Sequence, residues 1–310
     1  MRDPRPLRLV LGAGGFIGTS LCRALLARGE RVRGFGHAPL FPEALAGVEW
    51  IEGDFADRDA LAPALRGCDT LFHLVSGTVP QLANQDPAAD LLGNVVPVIA
   101  LLQQAAAEGI RRVVFVSSGG TVYGAAERTP TPESAPTEPF GAYGVGKLTV
   151  EKYLGLYERL HGLEYRALRV TNPYGPYQTA RKGQGVIAAA ILRGLSGQPI
   201  EIWGDGSVVR DFVYIDDVND ALLAAAADDG PHRVYNIGSG VGRSLRDVLA
   251  AVEAELGRPL KRIWRPGRPV DVPVSVVEIA RAREGLGWAP RVGFEEGLRR
   301  MIAWARTTDC

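Results

Sequence analysis

Short apolar runs alternate with longer stretches of helical periodicity through the first half of the chain. Leu7–Leu11 is apolar and stops at Gly12, and the spacing of Ile17, Leu21, Leu25 and Leu26 predicts a helix over 18–28. Strand candidates follow at Arg31–Phe35 and Val48–Ile51, then a helix from Asp57 to Leu65 and a third apolar run over Thr70–Val75. A long helix is predicted over Asp90–Glu108, ahead of Val113–Ser117, the most β-rich stretch of the chain. Strands separated by helices of this length imply βαβ units and a parallel sheet, which right-handed crossovers make doubly wound.

The alternation breaks over 125–140, where Pro130, Pro132, Pro136 and Pro139 predict a loop because proline removes donors and biases its predecessor away from helix. A helix resumes from Ala142 to His161, followed by a strand over Tyr165–Val170. Beyond Asn172 the elements shorten and Gly/Pro punctuation rises, with helices returning at 216–228 and 244–256. The expected architecture is an α/β doubly wound parallel Rossmann sheet over residues 1–171, with a smaller mixed α/β substrate-binding region over 172–310, part of which crosses back to the sheet.

Composition narrows the partners. The chain has 310 residues, with 35 Lys+Arg against 35 Asp+Glu and hence no formal net charge. That balance argues against a nucleic-acid binder, whose affinity rests on phosphate contacts, and against a polybasic membrane-surface protein. Cys22, Cys68 and Cys310 are far apart, as are His37, His73, His161 and His232, so neither a disulfide framework nor a metal site is expected. The first residues carry no apolar signal region, and no run of about 18 apolar residues stands out. The expectation is a soluble cytoplasmic protein with reduced thiols and no membrane or nucleic-acid partner.

Gly12-Ala-Gly-Gly-Phe-Ile-Gly18 sits directly after the first strand and opens the first helix. A turn this tight, with its backbone close to a pyrophosphate and its helix packed on the strand, calls for glycine, and the helix N-terminus offers free N–H groups to an anion. The acid that usually meets the adenosine ribose is missing: Gly36 stands in its place. Either NAD is held by other contacts, or NADP is bound with Arg33 or His37 near its 2′-phosphate. Asp54 is placed to accept from an adenine amino group, or else caps the next helix. Tyr143 and Lys147 stand four apart on one helix face. An ammonium beside a phenol favours the phenolate, and the pair suits proton removal from a hydroxyl as hydride leaves the same carbon.

These segments, with Ser117–Gly124, Leu168–Pro176, Trp203–Gly206, Arg210–Asp217 and Asn236–Gly240, resemble the extended short-chain dehydrogenase/reductase family, and within it the nucleotide-sugar epimerases. The likeness covers nearly the whole chain. It implies NAD as the cofactor, with NADP second, a UDP-sugar substrate and a homodimer. Cofactor contacts are implied at Gly12, Gly14, Gly15, Phe16, Ile17, Gly18, Asp54, Phe55, Leu74, Ser117 and Asn172. Tyr143 is implied as the base and Lys147 as the ribose-binding residue that tunes it. Asn172, Arg210 and Arg268 are implied on the diphosphate, Trp203 beside the uracil, Asp271 on the nucleoside ribose and Ser275 at a gate that sets hexose size.

The family's usual Ser or Thr hydroxyl falls at Gly119. The hydroxyl that bonds the sugar must then come from Ser117, Ser118 or Thr121, or from water, with Ser118 favoured. Related dehydratases carry Asp-Glu at positions 120 and 121, and related decarboxylases a Glu at 121. Gly120 and Thr121 supply no such acid. The reading that follows is transient oxidation at C4 of a UDP-hexose, UDP-glucose/UDP-galactose first, with N-acetylhexosamine and glucuronate forms also open. A NAD(P)H-dependent 4-ketoreductase of deoxysugar assembly and a non-catalytic redox-sensing module are the alternatives.

Overall fold

The computed structural model describes residues 5–78, 80–180, 185–267 and 272–308. In chain order the first elements are β1 (Leu7–Leu11), α1 (Phe16–Ala27), β2 (Arg31–Gly36), β3 (Glu49–Glu52), α2 (Arg58–Leu65), β4 (Cys68–His73), α3 (Pro80–Ala83), α4 (Pro87–Asp90), α5 (Val96–Ala107), β5 (Arg112–Ser118), α6 (Ala142–His161) and β6 (Glu164–Val170). After them come β7 (Asn172–Tyr174), α7 (Val186–Ser196), β8 (Ile200–Trp203), β9 (Val209–Tyr214), α8 (Ile215–Ala227), β10 (Val234–Ile237), β11 (Gly242–Ser244), α9 (Leu245–Leu256), β12 (Arg262–Arg265), β13 (Val274–Ser275), α10 (Ala280–Leu286) and α11 (Phe294–Thr307).

The chain forms two compact units that interleave in sequence. One comprises residues 1–118, 141–168 and 222–235, and the other 119–140, 169–221 and 236–310. A seven-stranded sheet in the order β10-β6-β5-β4-β1-β2-β3 dominates the first unit. The pairs β1–β2, β1–β4, β2–β3 and β4–β5 are parallel. Strand order reverses between β1 and β4, and in a doubly wound sheet the crevice at such a switch point is where ligands bind. Leu9, Leu11, Leu71, Val113 and Phe115 of the strands and Val98, Leu101, Leu102, Val150 and Leu154 of α5 and α6 form its core. In the second unit β11, β9 and β13 form a sheet that β7 joins through β9, while β8 and β12 make a separate two-stranded ribbon. Its α9 begins with a capping box, Ser244 and Asp247 each bonding the other's backbone.

Two expectations need correction. The helix expected over Asp90–Glu108 is present but begins at Pro87 and changes pitch: α4 passes through a π-helical turn at Leu91–Val95 into α5 from Val96. Pro97 is the cause, because it cannot donate within a continuing helix and is tolerated in a first turn. The apolar-run criterion also missed a segment. Pro87–Ala107 spans 21 residues at mean hydropathy 1.3, long and apolar enough by length and composition to cross a membrane. It is instead a helical layer of the first unit, with Val98, Leu101, Leu102 and Ala105 in the core and the carboxylate of Asp90 buried at its start.

Candidate active site

The glycine loop meets the steric demands of a bound pyrophosphate. Gly12 has φ +81°, and a Cβ at Gly18 would lie 2.1 Å from the Gly12 carbonyl oxygen, so no other residue fits there. A Cβ at Gly14 would come within 3.0 Å of Pro39. The loop is pinned to the sheet by Gly12 N–H donating to the Phe35 carbonyl at 2.9 Å, and Leu74 N–H donates to Leu11 at 3.1 Å. Helix α1 starts at Phe16, with Gly15 as an N-cap that offers no side chain and no acid in the first turn, which leaves the first N–H groups to an anion. These features fit the diphosphate of a dinucleotide.

The ribose end is built without an acid. Arg33 does not serve as a 2′-phosphate ligand: its guanidinium pairs with Glu49 and donates to the carbonyls of Ala64 and Arg66 at the end of α2. His37 is exposed, with Nε2 4.0 Å from Asp54. Asp54 accepts from Ala56 N–H at 2.8 Å in its own turn, and the cap of α2 is Asp57, which accepts from Asp59 and Ala60. Phe55 lies against the His73 ring at 5.2 Å.

Tyr143 and Lys147 line a small cavity in the first unit, about 20 Å³, together with His73, Ser76, Asp90 and Asn94. Lys147 Nζ donates to the Val116 carbonyl at 2.9 Å and lies 4.8 Å from the centre of the Phe115 ring and 5.6 Å from that of Tyr143. Burial pulls the Lys147 ammonium down to about 8, opposed by Asp90 and then Glu151. Burial also pushes the Tyr143 phenol up to about 12; a hydrogen bond with Ser76 lowers it and Asp90 raises it. The expected depression of the phenol by Lys147 is therefore not found. Desolvation outweighs a cation that is turned toward a backbone carbonyl.

Ser117 is 2 % exposed, and its hydroxyl donates to the buried Glu151 carboxylate at 2.5 Å, so it is committed to the core. Ser118 closes β5, half-buried. In the second unit Thr121 carries a buried hydroxyl with no partner. Gly119 is not merely short of a hydroxyl: a Cβ there would sit 2.7 Å from the Arg169 carbonyl oxygen.

Of the expected substrate residues of the second unit, Asn172, Arg210 and Ser275 lie on β9 and the strands paired with it, whereas Trp203 lies on the separate β8–β12 ribbon. Asn172 on β7 pairs with Phe212, and its Nδ2 donates to the Asp211 carbonyl at 2.8 Å. Arg210 stands beside Ser275 of β13 and donates to the Val272 carbonyl at 2.7 Å. Trp203 ends β8 with 40 % of its surface exposed. Arg268 and Asp271 lie outside the described residues.

Four cavity residues escaped the sequence reading: His73, Ser76, Asp90 and Asn94. His73 is fully buried between Phe55 and Phe115, its Nδ1 unpartnered, and burial lowers its pKa to about 3. Asp90 and Asn94 carry a readable signal, being two polar residues four apart in an otherwise apolar helical stretch.

A glycine cradle at the switch point and a Tyr–Lys pair on a neighbouring helix define a dinucleotide-dependent enzyme of the short-chain dehydrogenase type. Residues 8–238 match the model of the NAD dependent epimerase/dehydratase family, and the chain belongs to that family and uses NAD. A UDP-glucose 4-epimerase from Mycolicibacterium smegmatis is 36% identical over 96% of this chain and 98% of its own length. A UDP-glucose 4-epimerase from Thermotoga maritima, solved with UDP-glucose, superposes with a TM-score of 0.92 at 32% identity, covering 97% of this chain and 99% of that one. The Thermus thermophilus UDP-glucose 4-epimerase, solved with NAD, gives 0.91 at 32% identity over the same shares. The matches extend beyond epimerases: a dTDP-4-dehydro-6-deoxyglucose reductase from Escherichia coli is 27% identical over 95% of this chain and 96% of its own length.

Proposed function

We propose that the protein is an NAD-dependent 4-epimerase of a UDP-hexose, with UDP-glucose and UDP-galactose as the first substrates to try. The observation that carries this reading is the pairing of Tyr143 and Lys147 in one cavity while positions 120 and 121 hold Gly and Thr. Oxidation and re-reduction at C4 need one base and a hydride carrier, whereas elimination needs further acid–base groups that this chain lacks there. NAD supplies the hydride acceptor and donor, regenerated each turnover. Tyr143 takes the O4 proton as the carbon is oxidised and returns it when the 4-keto sugar is reduced on its other face. Lys147 holds the nicotinamide ribose. Asn172, Arg210 and Arg268 hold the diphosphate, Trp203 stacks on the uracil, Asp271 meets the nucleoside ribose, and Ser118 or Thr121 bonds the sugar.

Ser275 is small, and as the gate residue it admits an N-acetylhexosamine. The enzyme works in the cytoplasm as a homodimer paired through α5 and α6, where Leu91, Leu92, Val96 and Val145 expose apolar surface on the first unit. The reductase reading draws on the missing ribose acid at Gly36 and on the reductase relative. One experiment separates the two. The purified protein is denatured and its released nucleotide identified, while intact enzyme is incubated with UDP-glucose, UDP-N-acetylglucosamine and UDP-glucuronate and the products are read by proton NMR. Co-purified NAD and a C4 epimer are expected. Exchangeable NADPH and no epimer from any of the three sugars overturns the proposal in favour of the reductase.

A further inference from the structure

Lys147 is an unusual choice of cation in this chain. Only four of its 35 basic residues are lysines, at positions 147, 152, 182 and 261. Lysine, unlike arginine, yields its charge when buried. A lysine placed in a cavity therefore needs something to hold its proton. The groups that face it among the described residues are His73 from β4, Asp90 at the end of α4, and Tyr143 and Glu151 on α6 itself. His73 is neutral, and Glu151 already accepts the Ser117 hydroxyl.

Asp90 is placed differently. It is 4 % exposed, with Oδ1 accepting from Thr78 Oγ1 and from Asn94 Nδ2 at 2.9 Å. Asn94 in turn accepts from Gly77 N–H at 2.7 Å, and Ser76 donates to the Thr78 carbonyl at 2.9 Å. The 76–78 turn, whose Ser76 hydroxyl bonds Tyr143, is thus held by Asn94 of the π-helical turn, which also donates to Thr78 Oγ1 at 2.9 Å, and by the Asp90 carboxylate that binds both Thr78 and Asn94. The second oxygen, Oδ2, points toward α6, where a Cβ at Gly146 would be 3.5 Å away. That is ordinary van der Waals distance, so the carboxylate lies directly against α6 beside the Tyr143–Lys147 turn and lines the same cavity as both side chains.

We propose that Asp90 is a positioning residue for the Tyr143–Lys147 pair: it is the buried counter-charge that keeps Lys147 an ammonium, and its other oxygen, together with Asn94, holds the turn that presents Ser76 to Tyr143. The inference rests on Tyr143 and Lys147 being the reacting pair. Its electrostatic half fits the opposing pull of Asp90 against the burial of Lys147.

The test is a pH titration of lysine side-chain carbons by NMR in protein labelled at lysine. The four lysines give four signals, assigned by Lys147→Arg. In Asp90→Asn, which keeps shape and hydrogen-bonding capacity, the Lys147 midpoint is expected to fall by about one pH unit, a tenfold loss of protonated lysine above the midpoint. The alkaline limb of kcat/KM is expected to move with it, whereas a structural lesion lowers activity equally at every pH. Gly146→Ser offers Asp90 a competing hydroxyl and should move the midpoint the same way by less. It decides alone if the Asn variant fails to fold. An unmoved midpoint overturns the proposal. Because the midpoint is read without turnover, wild-type protein that epimerises no UDP-sugar overturns the proposed reaction only.

Discussion

The candidate residues of the two units are held in opposite ways, although the second unit also buries polar networks such as Tyr123, Arg169 and Asn236. In the first, the working side chains are sunk in a cavity and hold one another: Asp90, Asn94 and Thr78 form a closed network, and Tyr143 and Lys147 are both shifted by burial. In the second, Trp203 stands exposed and Arg210 and Asn172 lean on backbone carbonyls of their own sheet. A buried cluster fixes protonation states, because low dielectric magnifies every charge. A half-exposed rim tolerates different guests at little cost. Under the proposed function, the reacting pair belongs to the first unit and the expected substrate-binding side chains to the second.

The most damaging way to probe that division is Tyr143→Phe. It should cut turnover by about 10²- to 10⁴-fold with UDP-sugar affinity retained, as measured by epimer formation and by equilibrium binding; parallel loss of both would erase the distinction. Next comes Arg210→Ala. Losing a charged contact to a diphosphate should raise the KM for UDP-sugar roughly 10- to 100-fold and leave NAD affinity unchanged. A fall in NAD affinity would place Arg210 with the wrong ligand.

The third test is pH. The Lys147 pKa is depressed, so the ammonium is present below about 8 and lost as pH rises through that value. NAD affinity should weaken by up to about tenfold per unit above it, and Lys147→Arg should abolish this dependence. The smallest effect belongs to Gly119→Ser. Restoring the family's hydroxyl drives a Cβ against the Arg169 carbonyl, so we expect about 1–3 kcal/mol lost in thermal unfolding and no gain in rate. A faster, equally stable variant would show that the backbone yields there.

How legible each part was follows the same line. The strand–helix alternation, the glycine loop and the Tyr–Lys spacing are local patterns, and β1–β6 and α6 lie close to where the periodicity puts them, whereas β7–β13 had no such pattern. The cavity behind Tyr143 was not legible. Asp90 and Asn94 come from a helix more than forty residues away in sequence, and their effect depends on the π-helical turn that Pro97 introduces into that helix. The direction of the Tyr143 shift was also misjudged. Spacing reports which groups are neighbours, but desolvation depends on everything packed around them. Arg33 teaches the converse: a basic residue near an expected phosphate is already engaged by Glu49 and the carbonyls that close α2.

The burial of Lys147 has a chemical consequence apart from turnover. An amine that titrates near 8 is partly a free base at neutral pH, when ordinary lysines are almost wholly charged. It therefore holds more free base at neutral pH than an ordinary lysine does. The same burial that threatens the lysine's charge also shields its free amine, because the cavity of about 20 Å³ admits little more than a water-sized reagent.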